Sequence, residues 1–181
     1  MNRYLISDMH FGHKAIIKYE NRPFDTVEAM DSAIIANWNS IVQPDDMVFV
    51  LGDVSLCPKK ITTEIIASLS GRKSLILGNH DTHESENFWK SIGFEFVSSY
   101  PVCLDEFYWL SHEPMFLTTA MPYANIHGHI HSKTMSTNSE PNQYVNVSVE
   151  HINYTPILFE DIKKLFAPPD TVSQKIQKQN I

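Results

Sequence analysis

Basic residues are scarce in this chain. Its 181 residues include 14 lysines and arginines against 21 aspartates and glutamates, which gives a formal net charge of −7. Proteins that hold long duplex DNA need a basic surface, because much of their affinity comes from contacts with phosphates. The composition therefore argues against a protein of that kind, although it does not argue against a small nucleotide as a ligand.

Cysteine is rarer still, with only Cys57 and Cys103 in the chain. In a sequence without signs of export, two cysteines predict buried or half-buried free thiols rather than a disulfide. No apolar run reaches the length of a membrane span, and residues 1–6 have the pattern of a strand rather than of a signal peptide. We therefore expect a cytoplasmic protein.

The first half of the chain alternates β-rich and amphipathic runs. Residues 3–7, 47–51 and 74–77 have the composition of short strands, and residues 26–42 and 58–69 have helical periodicity. The order strand, helix, strand, helix, strand is typical of an α/β unit. In such units a ligand site lies outside the carboxyl ends of the strands.

The second half is richer in strands. Six further runs have strand patterns, at residues 94–98, 102–104, 107–110, 125–130, 144–149 and 156–159. An α/β half followed by a strand-rich half predicts a mixed α/β fold, with two packed sheets flanked by helices. We find no internal repeat, and we expect a single domain over residues 1–166, a loop at residues 132–143 and a polar C-terminal tail over residues 167–181.

Polar motifs follow several of these β-rich runs. They offer carboxylate and amide oxygens and imidazole nitrogens but no thiolate, and they are Asp8-Met9-His10, Gly52-Asp53, Gly78-Asn79-His80-Asp81, His112 and Gly128-His129-Ile130-His131. Oxygen and imidazole donors suit divalent cations such as manganese, iron, zinc or nickel. Donors of this kind at the ends of several strands predict a hydrolytic site with two metal ions.

The spacing inside the motifs suggests how two cations share these donors. Asp8 and His10 are two residues apart, so in an extended backbone they point the same way and can serve one cation together. The same reasoning applies to His129 and His131. Asp53 follows a buried strand and a glycine, and we take it as the carboxylate that bridges the cations. Two divalent ions with two carboxylates and a hydroxide leave a small positive charge, which suits an anionic phosphate ester.

Other residues near the motifs are candidates for different roles. His80 follows Asn79 and need not be a ligand, because a histidine beside the metals can protonate a departing alkoxide. Asp81 either orients His80 or caps the helix that follows. Arg22 and His13 are candidates for substrate contact, and an arginine near a phosphate site can clamp the phosphate through two hydrogen bonds.

Taken together, the motifs resemble those of the calcineurin-like metallophosphoesterase superfamily over residues 8–131. Residues 8–14, 21–24 and 44–48 resemble a compact bacterial and phage branch of it. The resemblance implies a four-layer αββα sandwich, in which two mixed sheets lie between helices. It also implies two ligand sets, Asp8, His10, Asp53 and His131 for one cation and Asp53, Asn79, His112 and His129 for the other.

The function that follows is hydrolysis of phosphate esters by metal-bound hydroxide, with Asp53 and His80 as catalytic residues. His80 favours phosphodiesters, because their leaving groups need a proton. The alternatives are a phosphomonoesterase with the same site, a non-catalytic binding scaffold with the same fold, and a nuclease, against which the short chain and the acidic charge count. We expect a small phosphate ester or nucleotide as partner, without long duplex nucleic acid and without a membrane.

Overall fold

The structure alternates strands and helices in its first half and consists mostly of strands in its second. It is a computed structural model and describes residues 1–118, 120–135 and 143–166. In chain order the elements are β1 (Arg3–Ile6), α1 (Lys14–Tyr19), α2 (Val27–Ile41), β2 (Met47–Val50), α3 (Lys59–Ser68), β3 (Arg72–Ile76), α4 (Glu86–Ser91), β4 (Phe94–Ser98), β5 (Val102–Leu104), β6 (Tyr108–Leu110), β7 (Ala124–His127), β8 (Tyr144–Asn146), β9 (Ile157–Leu158) and α5 (Phe159–Phe166). Within these ranges no helix is both long enough and apolar enough to span a membrane. Most of the predicted loop at residues 132–143, and all of the predicted tail over residues 167–181, lie outside the described residues.

Two mixed sheets form the centre of the fold. The five-stranded sheet has the order β4-β3-β2-β1-β9, in which β1 to β4 are parallel and β9 is antiparallel to β1. The four-stranded sheet has the order β5-β6-β7-β8, in which only the β5–β6 pair is antiparallel. A parallel bridge between Ser7 and Ser148 joins the chain just beyond β1 and β8. The prediction of two mixed sheets flanked by helices is confirmed.

Strand β1 shows how the apolar residues divide between two cores. Tyr4 and Ile6 lie in a cluster with the buried tryptophans of the helices, Trp38 and Trp89, whereas Leu5 lies in a second cluster. Successive side chains of a strand point to opposite faces, so β1 contributes to both. The second cluster joins residues of the two sheets and of α5, which are Leu51, Ile76, Leu110, Ile126, Val147, Phe159 and Ile162.

The parallel strands bring polar residues to one edge of the fold. Asp8, Asp53 and Asn79 follow β1, β2 and β3, which are neighbours in the five-stranded sheet. His112 and His129 follow β6 and β7, which are neighbours in the other sheet. The carboxyl ends of both sets of strands therefore contribute to one site, as expected for a ligand site in a fold of this class.

Two predicted strands are too long by three residues, and helix α1 is not among the predicted elements. The runs at residues 125–130 and 144–149 stop being strands at His127 and Asn146. There the chain turns and carries polar residues to the sheet edge. Helix α1 has six residues, and its N-cap residue, His13, makes no capping hydrogen bond. Such a short helix leaves too little periodicity for detection in a sequence.

A tight turn joins β5 to β6, and the two cysteines can be compared with the expectation. Asp105 and Glu106 form the turn between β5 and β6, and their φ values of 50° and 57° are both positive. Cys57 and Cys103 are free thiols, as predicted. Cys57 is half-buried, but Cys103 is exposed on β5, so the expected burial is wrong for Cys103. The short β5 strand at the edge of its sheet leaves that side chain uncovered.

Truncation of a buried tryptophan tests the helix-side core. Trp38 is fully buried, and its indole Nε1 donates a hydrogen bond to the carbonyl oxygen of Ser70 at 2.9 Å. We expect Trp38→Ala to lower the free energy of unfolding by about 3–5 kcal/mol, because it leaves a cavity and an unpaired carbonyl. Urea unfolding followed by circular dichroism measures the change. Ile61→Ala, at an exposed position of α3, is the control, and equal losses in both variants would contradict the assignment of Trp38 to the core.

Candidate metal centre

Five candidate ligands share an unusual backbone conformation. The φ values of Asp8, His10, Asp53, His129 and His131 are positive and lie between 49° and 68°. They are half of the ten non-glycine residues with positive φ in the described ranges. This conformation is costly and concentrates at functional sites. The extended backbone expected at these motifs is therefore wrong, and so is the inference that His129 and His131 serve one cation, because they lie in different ligand groups.

The first ligand group consists of Asp8, His10 and His131, whose ligand atoms lie within 4.8 Å of one another. His131 Nε2 is 3.9 Å from Asp8 Oδ1, and the rings of His131 and His10 stack with 5.1 Å between their centres. Asp8 Oδ1 and both ring nitrogens of His10 are buried and have no hydrogen-bond partner among the described residues. Burial lowers the pKa of His10, which favours the neutral imidazole that binds cations. Because buried polar atoms are normally satisfied, this group fits a cation.

The second group consists of Asp53, His112 and His129, also within 4.8 Å, with Asn79 beside it. Asn79 Oδ1 is 3.0 Å from His112 Nε2 and 3.0 Å from His129 Nδ1, and these two nitrogens are 3.1 Å apart. His112 Nδ1 lies 2.8 Å from the carbonyl oxygen of Leu51. Since a carbonyl accepts hydrogen bonds, Nδ1 carries the proton and Nε2 presents its lone pair to the group. Four possible metal ligands therefore converge on one place.

Asp53 connects the two groups. Its Oδ2 atom lies 3.4 Å from His10 Nε2 and 3.5 Å from His112 Nε2. Its Oδ1 atom accepts a hydrogen bond from the backbone N–H of His80 at 2.9 Å. Burial alone would raise the pKa of Asp53, but His10, His112 and that N–H hold it at about 2. An ionised carboxylate oxygen thus lies between the groups, where a bridging ligand belongs.

Asp8 is held so that one of its oxygens stays free. Oδ2 accepts hydrogen bonds from Ser148 Oγ at 2.8 Å and from the backbone N–H of His129 at 2.9 Å. Two glycines allow the loops to approach this closely. A Cβ atom on Gly128 would overlap Asp8 Oδ2, and one on Gly78 would overlap Asp53 Oδ1. Glycine is required at both positions because no other residue leaves room for the carboxylates.

The predicted contact of Arg22 with substrate is wrong. Arg22 is only 3% exposed. Its guanidinium donates to the backbone carbonyls of Asp8 at 2.7 Å and Met9 at 3.0 Å, and its Nε donates to Glu150 Oε1 at 2.9 Å. A guanidinium engaged in this way is unable to reach a phosphate. Its role is to hold the left-handed turn that presents Asp8.

Glu150 is a site residue that sequence reasoning missed. Its Oε1 atom also lies 3.2 Å from His131 Nδ1. A carboxylate that accepts the Nδ1 proton leaves the lone pair of Nε2 facing Asp8, which is the usual way to orient a metal-binding histidine. Burial lowers the pKa of His131, but Glu150 and Asp8 raise the pKa by more than burial lowers it, so the net shift is upward. The signal in the sequence is that Glu150 directly follows the β-rich run at residues 144–149, as Asp8 follows residues 3–7.

Asp81 has neither of the two roles considered for it. Its buried carboxylate accepts hydrogen bonds from the backbone N–H groups of Asp53 at 2.7 Å, Gly78 at 2.8 Å and Val54 at 2.9 Å. Helix α4 is capped by Ser85 instead. Burial raises the pKa of Asp81 to about 6, although the three N–H groups oppose the rise. Asp81 therefore connects two turns, the one after β2 that contains Asp53 and the one after β3 that contains Gly78.

His80 and His13 lie beside the first ligand group. The ring centres of His80 and His13 are each 5.3 Å from that of His10, and they are 6.5 Å from one another. His80 is exposed, so it lies on the open side of the centre. His13 is half-buried, and its Nδ1 atom has no hydrogen-bond partner among the described residues. The roles of His80 toward a leaving group and of His13 toward substrate stay predictions.

Replacement of Glu150 tests whether His131 is oriented for a cation. We expect Glu150→Gln to weaken manganese binding about 10–100-fold, because His131 loses the charged acceptor that fixes its ring. Titration calorimetry of metal-free protein with Mn²⁺ measures the affinity. The control is Glu95→Gln, which removes an exposed carboxylate paired with Arg72. Affinities that are the same in the wild type and in Glu150→Gln would show that Glu150 does not support the centre.

Comparisons with known proteins agree with this geometry. The family model of the calcineurin-like phosphoesterases matches residues 1–176. The chain is 38% identical over 174 residues to an uncharacterised protein of Methanocaldococcus jannaschii, which covers 90% of this chain and 89% of that relative. It is 41% identical over 83 residues to the Gene 66 protein of Mycobacterium phage L5, which covers 44% of this chain and 40% of that relative.

A solved structure supports the fold as well. The crystal structure of a protein of unknown function from Aquifex aeolicus superimposes with a TM-score of 0.68 at 25% identity, and the match covers 91% of this chain and 98% of the other. The two groups of histidine and aspartate side chains are what a metal-dependent phosphoesterase requires. The resemblance seen in the motifs is confirmed, since the family model covers nearly the whole sequence. The chain belongs to the calcineurin-like phosphoesterase family.

Proposed function

We propose that this protein is a phosphodiesterase that works with two divalent metal ions. The observation that carries the proposal is the position of Asp53 Oδ2, 3.4 Å from a nitrogen of the first ligand group and 3.5 Å from a nitrogen of the second. A single carboxylate oxygen with imidazoles on both sides suits two cations about 3.5–4 Å apart. Such cations, when bound, neutralise charge on a phosphate ester and lower the pKa of water toward about 7.

The donor sets of the two groups fit this pair of ions. The first cation would be held by Asp8, His10, Asp53 and His131, and the second by Asp53, Asn79, His112 and His129. Oxygen and imidazole ligands suit manganese, iron, zinc or nickel. Buried atoms of Asp8 and His10 have no hydrogen-bond partner in the part of the chain that the structure describes, which supports a bound cation rather than a network of hydrogen bonds within the protein. A complete donor set also supports an enzyme over a binding scaffold.

His80 is the group that we propose protonates the leaving oxygen. Its backbone is fixed to Asp53 Oδ1, while its ring is exposed and 5.3 Å from the ring of His10. A general acid needs access to the ester from the open side of the site. An alkoxide leaving group needs that proton more than an activated phenolate does, so His80 suits esters of ordinary alcohols, and among these we favour diesters over monoesters. The substrate is a small phosphate ester or nucleotide, and a phosphomonoesterase is the second candidate.

Loss of the bridging carboxylate tests the two-metal assignment. We expect Asp53→Asn to lower kcat/KM for bis-p-nitrophenyl phosphate with Mn²⁺ by about 10³-fold, because several kcal/mol of charge stabilisation is lost. Its metal content by mass spectrometry should fall from about two ions per chain to about one or fewer. Asp45→Asn, at an exposed position, is the matched control. An unchanged metal content in Asp53→Asn would contradict the bridge, and a wild type inactive with every divalent metal would leave the scaffold as the better description.

The role of His80 predicts a dependence on the leaving group. We expect His80→Asn to slow hydrolysis of methyl phenyl phosphate about 10²–10⁴-fold, because phenolate leaves poorly without a proton. The same variant should slow methyl p-nitrophenyl phosphate less than about tenfold, since p-nitrophenolate leaves readily. His151→Asn, which changes an exposed histidine, is the control for both esters. Equal losses on the two esters would mean that His80 does not act as the acid.

A further inference from the structure

We propose that a cleft beside the second ligand group binds the organic substituent that the product keeps, and that this substituent is uncharged. The proposal rests on the phosphodiesterase function argued above. The cleft has a volume of about 500 Å³. Its walls come from the chain around the end of β3, from the segment between β4 and β5, and from the segment after β6, and include Leu77, Thr82, Ser99, Pro101, Ser111 and Met115.

The cleft opens directly on the candidate metal centre. Asn79 and His112, which belong to the second ligand group, form part of its lining. A volume of about 500 Å³ is within the range of small-molecule sites and far exceeds what a methyl group needs. A phosphodiester held at the centre therefore has room for one of its two organic groups in this cleft.

The position of His80 indicates which of the two groups that is. His80 lies against His10, on the side of the first ligand group. It does not line the cleft, although Asn79 and Thr82 on either side of it in the sequence do. If His80 protonates the leaving oxygen, the leaving group lies on its side of the phosphate. The cleft then faces the other substituent, which remains on the phosphate in the product.

The charges and the hydroxyl groups of the cleft disfavour an anion. Among the described lining residues there is no lysine or arginine, and Glu113 contributes a carboxyl group. The hydroxyls of Thr82, Ser99 and Ser111 already donate to protein oxygens at 3.0, 2.9 and 2.6 Å. The backbone N–H of Met115 donates to a side-chain oxygen at 2.8 Å. A second phosphate would find these donors occupied, so burying it here would be costly.

The remaining walls are apolar and favour an aryl or nucleoside group. Leu77, Pro101, Pro114 and Met115 present hydrocarbon and thioether surface. An uncharged ring placed against them loses contact with water, which is favourable. The hydroxyl oxygens of Thr82 and Ser99 have lone pairs that can accept hydrogen bonds from a sugar or a base, whereas Ser111 Oγ already accepts one from Asn125 Nδ2 at 2.9 Å. Aryl groups and nucleosides share this chemistry, since both are uncharged and contain a flat ring.

A series of diesters with one leaving group tests the cleft in the unmodified protein. The substrates are p-nitrophenyl phosphates that retain a methyl, a phenyl, a 4-carboxyphenyl or a thymidine 5′ group, each assayed with Mn²⁺. We expect kcat/KM for the phenyl diester to exceed that for the methyl diester at least about tenfold. The 4-carboxyphenyl diester has the same shape with an added anion and should fall back to about the methyl value. A thymidine diester that ranks with the phenyl diester identifies nucleosides as a source of the substituent, and one that ranks with the methyl diester identifies aryl groups.

Introduction of a positive charge into the cleft gives a second test. Met115→Lys should raise the ratio of kcat/KM for the 4-carboxyphenyl diester to that for the phenyl diester at least about tenfold, because it supplies the missing cation. Ile61→Lys makes the same exchange on the exposed face of α3 and should leave the ratio unchanged.

The outcomes separate this proposal from the function on which it rests. Equal kcat/KM for the methyl and phenyl diesters, or a wild type that prefers the 4-carboxyphenyl diester, would overturn the cleft assignment while turnover of the methyl diester upheld the phosphodiesterase. Failure to hydrolyse any diester with any divalent metal would overturn the function itself.

Discussion

The centre depends on the burial of a charged carboxylate between two groups of histidines. Burial penalises the charge of Asp53, yet the imidazoles around it and the N–H of His80 keep its pKa at about 2. Close by, Asp81 accepts three backbone N–H groups and fixes the turn that carries Asp53. Its pKa is raised to about 6 by burial and by its proximity to Asp53. Two buried carboxyl groups so near to one another create a demand for positive charge, which the proposed pair of cations would meet.

The same site concentrates backbone strain, and the surrounding contacts compensate for it. A non-glycine residue in the left-handed region costs on the order of 1–3 kcal/mol, and five candidate ligands adopt it. Arg22 stabilises one of these turns from beneath by binding the carbonyls of Asp8 and Met9, and Glu150 connects Arg22 to His131. The hydrogen bonds that offset this cost come from Arg22 and Glu150, which are not among the proposed metal ligands. Rigid presentation of the ligands is therefore built from buried ion pairs and hydrogen bonds rather than from the apolar core alone.

The difference between ligands that follow strands and the buried residues that support them explains what could be predicted from the sequence. Ligands that directly follow strands could be predicted, because a polar residue after an apolar run is a local signal and parallel strands collect such residues at one edge. The separation of His129 from His131 is implied by the family resemblance but not by their spacing, because it depends on left-handed turns that break the alternation of a strand. The role of Arg22 was misjudged because its partner, Glu150, is 128 residues away in the sequence. Asp81 likewise bonds to backbone groups, which no side-chain pattern reveals.

In the proposed function, binding of phosphate and choice of substituent are separate tasks. The ligands follow strands whose positions are set by two sheets, whereas Ser99, Pro101 and residues 113–115 form cleft walls outside the ligand groups. Such connecting segments can change without displacing the strands. In this chain the hydroxyls of the cleft are engaged within the protein, so the cleft adds little polar attraction of its own for an anion. The centre then supplies the attraction for phosphate, and the cleft selects by size, shape and the absence of charge.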